Sequence, residues 1–317
     1  MNTDVRKLTD GAMMVAIVGV LMLIDRQFAG FFSMSFTCIF PLPMVFYTAK
    51  YGLKNSWMVL AAIVILAFIL STPQGMIYIA SESLIGTIYG HGVHKKTDNK
   101  IIVMRTILLT IVLEVFGMIV FAAFFGYDFN GEVDLYMDWM TDLMNQMNMQ
   151  LPANFDLTQF ILSILVLSVI LTGILEGFII HVVARFMLKR FKIPVPEPTP
   201  LWEYRPPKWT GYVALLLYIL SYWNMGHPFE NEIIREALPS LALVGMFYLA
   251  IFGVIGSFVI LPRQFPNLGK WTVFIVLFAF LFMSILVAIM GFFYITTDWY
   301  KPTKKGEMID ASKINQS

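Results

Sequence analysis

The sequence predicts an all-α, polytopic transmembrane helix bundle of about nine spans, and three observations carry that expectation. Of 317 residues, 58% are hydrophobic and only 14% charged, against roughly 25% charged in a soluble domain. Mean hydropathy is +0.73. The apolar residues also fall into runs of about the 20 residues that cross about 30 Å of hydrocarbon. Net charge is +1, so no global basic field exists to attract nucleic acid. One cysteine, Cys38, excludes an intramolecular disulfide and a cysteine-rich metal site.

The runs cover residues 8–24, 28–48, 55–72, 74–92, 102–126, 158–187, 209–225, 237–262 and 270–296. The first follows a short basic segment but lacks a small-x-small cleavage site, since Ile24-Asp25-Arg26-Gln27 comes next. It reads as a retained signal anchor. The second contains Pro41 and Pro43, and the fourth is interrupted by Glu82.

Basic residues decide the orientation. With the N-terminus cytoplasmic, 16 of the 22 Lys and Arg fall inside, from Arg6 and Lys7 to Arg263 and Lys270. The segment from Phe125 to Pro152 has Asp128, Glu132, Asp134, Asp138 and Asp142 and no Lys or Arg, as an outer loop should. The misfit is the tail, where Lys301, Lys304, Lys305 and Lys313 would lie outside. Trp57, Trp202, Trp209 and Trp271 sit near inner ends and Trp223 and Trp299 near outer ends, as an aromatic belt requires. The expected location is the cytoplasmic membrane.

Prolines at 194, 196, 198, 200, 206 and 207 mark residues 193–208 as an extended connector. It separates a six-helix membrane core, residues 1–192, from C-terminal helices over 209–298 and a polar tail over 299–317. Within the outer loop, Val133, Tyr136, Met137, Met140, Leu143, Met144 and Met147 share one face, opposite Asp134, Asp138 and Asp142. An amphipathic outer helix over 132–148 follows.

Three carboxylates lie at membrane depth: Glu82, Glu114 and Glu176. A lone charge in lipid is costly, so such groups face a bundle interior and mark a pathway or a binding site. An ion pair of Glu176 with Arg105 is the structural alternative. Gly86 and Gly90, and Gly173 and Gly177, are four apart on the same helices and permit close packing. His91 and His94 have HxxH spacing but no third ligand, so no metal site is assigned. HExxH, GxSxG and Walker A motifs are all absent. The expectation is therefore no catalytic residue, no cofactor and no enzymatic activity.

The opening Leu8-Thr9-Asp10-Gly11-Ala12-Met13-Met14-Val15-Ala16 resembles the first helix of substrate-binding S components of energy-coupling-factor (ECF) transporters. An N-cap at Thr9 is the expected local cause of the turn. The resemblance, over about residues 5–190, implies that Ala12 and Ala16 dock a coupling subunit, with a separate ATPase supplying energy. Taken whole, the chain resembles the YybS-like family of uncharacterised bacterial membrane proteins, through this opening, Pro41-Leu42-Pro43 and Tyr47-Thr48-Ala49-Lys50-Tyr51-Gly52. The three extra C-terminal spans depart from an S component. The sequence thus points to binding or movement of a small solute within the bilayer, energised by partner subunits, with Glu82, Glu114 and Glu176 as substrate-binding residues. A non-transporting envelope scaffold and an intramembrane enzyme are the alternatives.

Overall fold

A computed structural model describes residues 3–28, 30–31, 37–126, 129–148, 156–200, 204–265, 267 and 271–297. Trp202, Trp299, Lys270 and the lysines of the tail lie outside the described residues. All regular structure among the described residues is helical: α1 (Thr3–Gln27), a 3-10 turn (Thr37–Ile39), α2 (Leu42–Tyr51), α3 (Leu53–Leu70), α4 (Pro73–His94), α5 (Asn99–Phe125), α6 (Phe129–Gln146), α7 (Leu157–Arg190), α8 (Lys208–Gly226), α9 (Glu232–Gln264), α10 (Trp271–Phe282) and α11 (Ser284–Thr296).

Local chemistry sets several of these ends. Thr72 accepts from the Gly75 amide at 3.1 Å, with Pro73 preset for the first turn of α4. Asp98 accepts from Lys100 N at 2.7 Å to open α5, and Asn231 from Ile234 N at 3.2 Å to open α9. Helix α1 begins at Thr3 rather than at an N-cap on Thr9. Thr9 sits inside the helix, where its hydroxyl donates to the Val5 carbonyl at 2.9 Å, a bond that satisfies it without ending the ladder.

Five helical stretches are long and apolar enough to cross a membrane: Asp4–Gln27, Leu53–Leu70, Asn99–Phe124, Leu157–Arg190 and Glu232–Leu261. A sixth arises if α10 and α11, bent by 112° across Met283, count as one. This differs from nine uniform spans for physical reasons. The second apolar run yields only the ten-residue α2, with Pro41 and Pro43 at its start. Helix α4, at 22 residues, is long enough but carries Glu82, Ser83, Thr87, His91 and His94. It is packed on α2, α3 and α5, and Glu82, Ser83 and Thr87 are buried there, facing protein instead of lipid. In α8 the Trp, Tyr and Asn residues lower the hydropathy of a 19-residue helix.

The chain divides into two compact units. Unit 1 comprises Met1–Gln150 and Ser168–Thr199; unit 2 comprises Leu151–Leu167 and Pro200–Ser317. Helix α7 therefore contributes to both.

In unit 1 the core gathers Met14, Val18 and Met22 of α1, Met44 and Tyr47 of α2, Leu60 and Ile63 of α3 and Ile79 of α4. Helices α2 and α4 meet backbone to backbone: a Cβ on Gly86 would strike the Pro41 carbonyl oxygen, and one on Gly90 would lie 2.7 Å from that of Val45. The connector after α7 is part of this unit as far as Thr199, with Ile193 and Val195 packed on Ala184 and Leu188. Asn99 Nδ2 donates to Thr199 Oγ1 at 3.3 Å.

In unit 2, α9 packs on α8 and α11 around Ala214, Leu249, Ala250, Val287, Ala288 and Ile295. Arg205 donates to the Ile295 carbonyl at 2.8 Å and to that of Thr297. A cation thereby closes the C-terminal end of α11.

Candidate functional site

Glu82 stands midway along α4, Glu114 on α5 and Glu176 on α7. The glycine pairs flagged by their spacing bring these helices together. Cβ atoms on Gly173 and Gly177 would each lie 2.8 Å from a Cα of α5, that of Ile111 and that of Ile107. Thr110 Oγ1 reaches across to the Gly173 carbonyl at 2.6 Å. With α7 drawn onto α5, and α5 packed on α4, the three acids converge in the interior of unit 1. Glu176 stands within electrostatic reach of both Glu82 and Glu114. Glu82 is 2% exposed, Glu176 5%, and Glu114 half-buried.

Three carboxylates so close in a low-dielectric interior repel one another, which favours a cation or a hydrogen-bond donor among them. Glu82 Oε2 is buried with no hydrogen-bond partner among the described residues, an acceptor position open to a donor. Cys38 lies within electrostatic reach of Glu82 and Glu176. Arg105 is exposed on α5, whereas Glu176 is buried beside two acids.

The other flagged residues lie apart from this cluster. Ala12 and Ala16 are exposed on α1, in a surface with Leu8, Met13, Ile17 and Val20, while Gly11, Met14 and Val18 of the same helix point inward. His94 places Nδ1 3.1 Å from the Ala49 carbonyl, and its ring packs against Gly52. Helix α6 buries Val133 and leaves Leu135 and Trp139 exposed beside its acidic face.

Two polar links escaped the reading of the sequence. Asp10 of α1 pairs with Lys50 of α2 and accepts from the Tyr51 hydroxyl. Tyr89 of α4 and His181 of α7, both buried, place hydroxyl and Nδ1 3.0 Å apart. A lone Asp inside an apolar first run was the available signal for the former. Nothing in spacing pairs residues 92 positions apart.

The family model described as "Predicted membrane protein (DUF2232)" matches residues 16–293. The chain belongs to this family. It is an integral membrane protein whose matched region takes in the helices of both units, including all three glutamates. Among curated proteins it is similar to the uncharacterized protein YybS of Bacillus subtilis (strain 168), 22% identical over 255 residues, 77% of this chain and 79% of that protein. No solved structure matches.

Proposed function

We propose that this chain binds, and with partner subunits moves, a small solute at the Glu82, Glu114 and Glu176 cluster. The observation that carries the reading is the convergence of carboxyl groups from three helices, two buried and one half-buried, with Glu82 Oε2 lacking a hydrogen-bond partner among the described residues. Carboxyl groups crowded in a low-dielectric interior favour a ligand bearing an amine or several hydrogen-bond donors over an anion. The outer face of α1 around Ala12 and Ala16 suits a partner helix, because small residues lower the steric barrier to close approach. An S-component-like division of labour, with a coupling subunit and an ATPase apart from this chain, is part of the proposal, as are a cytoplasmic-membrane location and an inside N-terminus.

Mass spectrometry of small molecules retained by the purified protein is the test. Glu82→Gln and Glu176→Gln keep shape and remove charge, so each should release the retained molecule while the protein stays folded. Equal retention in both variants would make the acids structural. For docking, Ala12→Trp with Ala16→Trp should abolish co-purification of partners without disturbing the fold, since both alanines are already exposed.

A further inference from the structure

Unit 2 contains a cavity of a different character from the glutamate cluster. Its volume is about 370 Å³, within the roughly 300–1,000 Å³ of small-molecule sites. Leu215 and Tyr218 of α8, Met246 and Leu249 of α9, and Ala288 and Phe292 of α11 form its walls. Its surface is almost wholly apolar, so it offers no anchor to a polar solute. The space holds about a dozen groups of the size of a water, near 30 Å³ each, which suits a single hydrocarbon chain.

We propose that this groove seats one acyl chain of an anionic phospholipid, whose phosphate rests at the cationic end formed by Arg205 and Lys208. The direction of the groove supports this assignment. Gly211 of α8 lies against Ile295 and Thr296 of α11, so the groove runs from Tyr218 and Ile285 toward the start of α8. Lys208, Tyr212 and Leu215 follow one another at i, i+4 and i+7 on one helix face. Tyr212 stacks edge-on against Phe292, ring centroids 5.7 Å apart. Lys208 is exposed at that end, and Arg205 lies one turn below Phe292 and Phe293, at Ile295 and Thr297. Trp209, also exposed, suits a headgroup boundary.

Lipid tails are as apolar as the groove walls, so moving a chain from bilayer to groove gains little. Charge at the end of the groove therefore selects the lipid. Each cation near an anionic headgroup should favour it by about fivefold.

The full chain, purified in detergent and stripped of lipid, would be titrated with dioleoyl phosphatidylglycerol and dioleoyl phosphatidylcholine and observed by native mass spectrometry. One phosphatidylglycerol per chain should be held in preference to phosphatidylcholine. Lys208→Gln should reduce that preference by about fivefold. Ile289→Trp, on a half-exposed wall residue, should fill the groove and remove the one-lipid species. Ile285→Trp, on a more exposed wall position, does the same if Ile289→Trp fails to fold. Equal binding of the two lipids, or undiminished binding in a folded Trp variant, overturns the proposal.

Discussion

Lys50 Nζ lies 2.6 Å from Asp10 Oδ2, across 40 residues of sequence. The same carboxylate accepts from the Tyr51 hydroxyl, and the ammonium stands 4.9 Å from the Tyr51 ring centroid and 5.6 Å from that of Phe46. The Leu-Thr-Asp opening and the Tyr-x-x-Lys-Tyr-Gly segment are thus two halves of one junction between α1 and α2. Their side chains are 17% and 30% exposed, which shields the pair from much of the screening that weakens surface ion pairs.

Breaking this pair should destabilise unit 1. Asp10→Asn is expected to cost about 1.5–3 kcal/mol, the range for hydrogen bonds to charged groups, read as a lower melting temperature in detergent. Lys50→Met should cost a similar amount, and the double variant less than the sum of the two. Additive losses would mean that the two groups do not interact.

Two glycines should respond in opposite ways to alanine. At Gly86 the new methyl meets the Pro41 carbonyl oxygen, and such overpacking costs about 1–3 kcal/mol. At Gly117 only the Phe121 ring, 3.9 Å away, is near, so alanine should be neutral or stabilise by up to about 1 kcal/mol through helix propensity. Thermal unfolding of the two variants side by side checks the contrast. Equal effects would show that α2 and α4 do not touch at Gly86.

Tyr89→Phe keeps the ring and removes the hydroxyl that lies 3.0 Å from His181 Nδ1 and donates to the His181 carbonyl at 3.4 Å. With both residues buried, the loss should be about 1–2 kcal/mol. A melting temperature equal to that of the parent protein would show that water or another group replaces the hydroxyl.

The sequence made the glutamates and the glycine pairs legible because single charges and paired small residues stand out in an apolar run. Their partners were not legible. That Glu176 meets Glu82 depends on α7 closing onto α5, a contact made 63 residues apart at Thr110 and Gly173. The break in the last apolar run was equally silent, since Phe282-Met283-Ser284 contains neither Pro nor Gly and continues the hydrophobic pattern.

That break bears on which side of the bilayer the chain ends. Helices α8 and α9 are antiparallel: Thr210 Oγ1 lies 2.6 Å from the Tyr248 hydroxyl, while Asn224 Nδ2 lies 3.2 Å from the Arg235 carbonyl. Helix α9 therefore finishes toward the face where α8 starts, and α10 begins only a few residues later. Helix α11 also finishes there, held by Arg205. Helices of 12 and 13 residues rise only about 18–20 Å each, short of a 30 Å crossing. These ends fit a pair that dips in and returns better than one continuous span. On this path the chain leaves α11 at Thr297, on the face where Arg205 leads into α8. In a Cys38→Ser background, cysteines at Pro198 and Thr297 should label from the same side of the membrane, and labelling from opposite sides would restore a full ninth crossing.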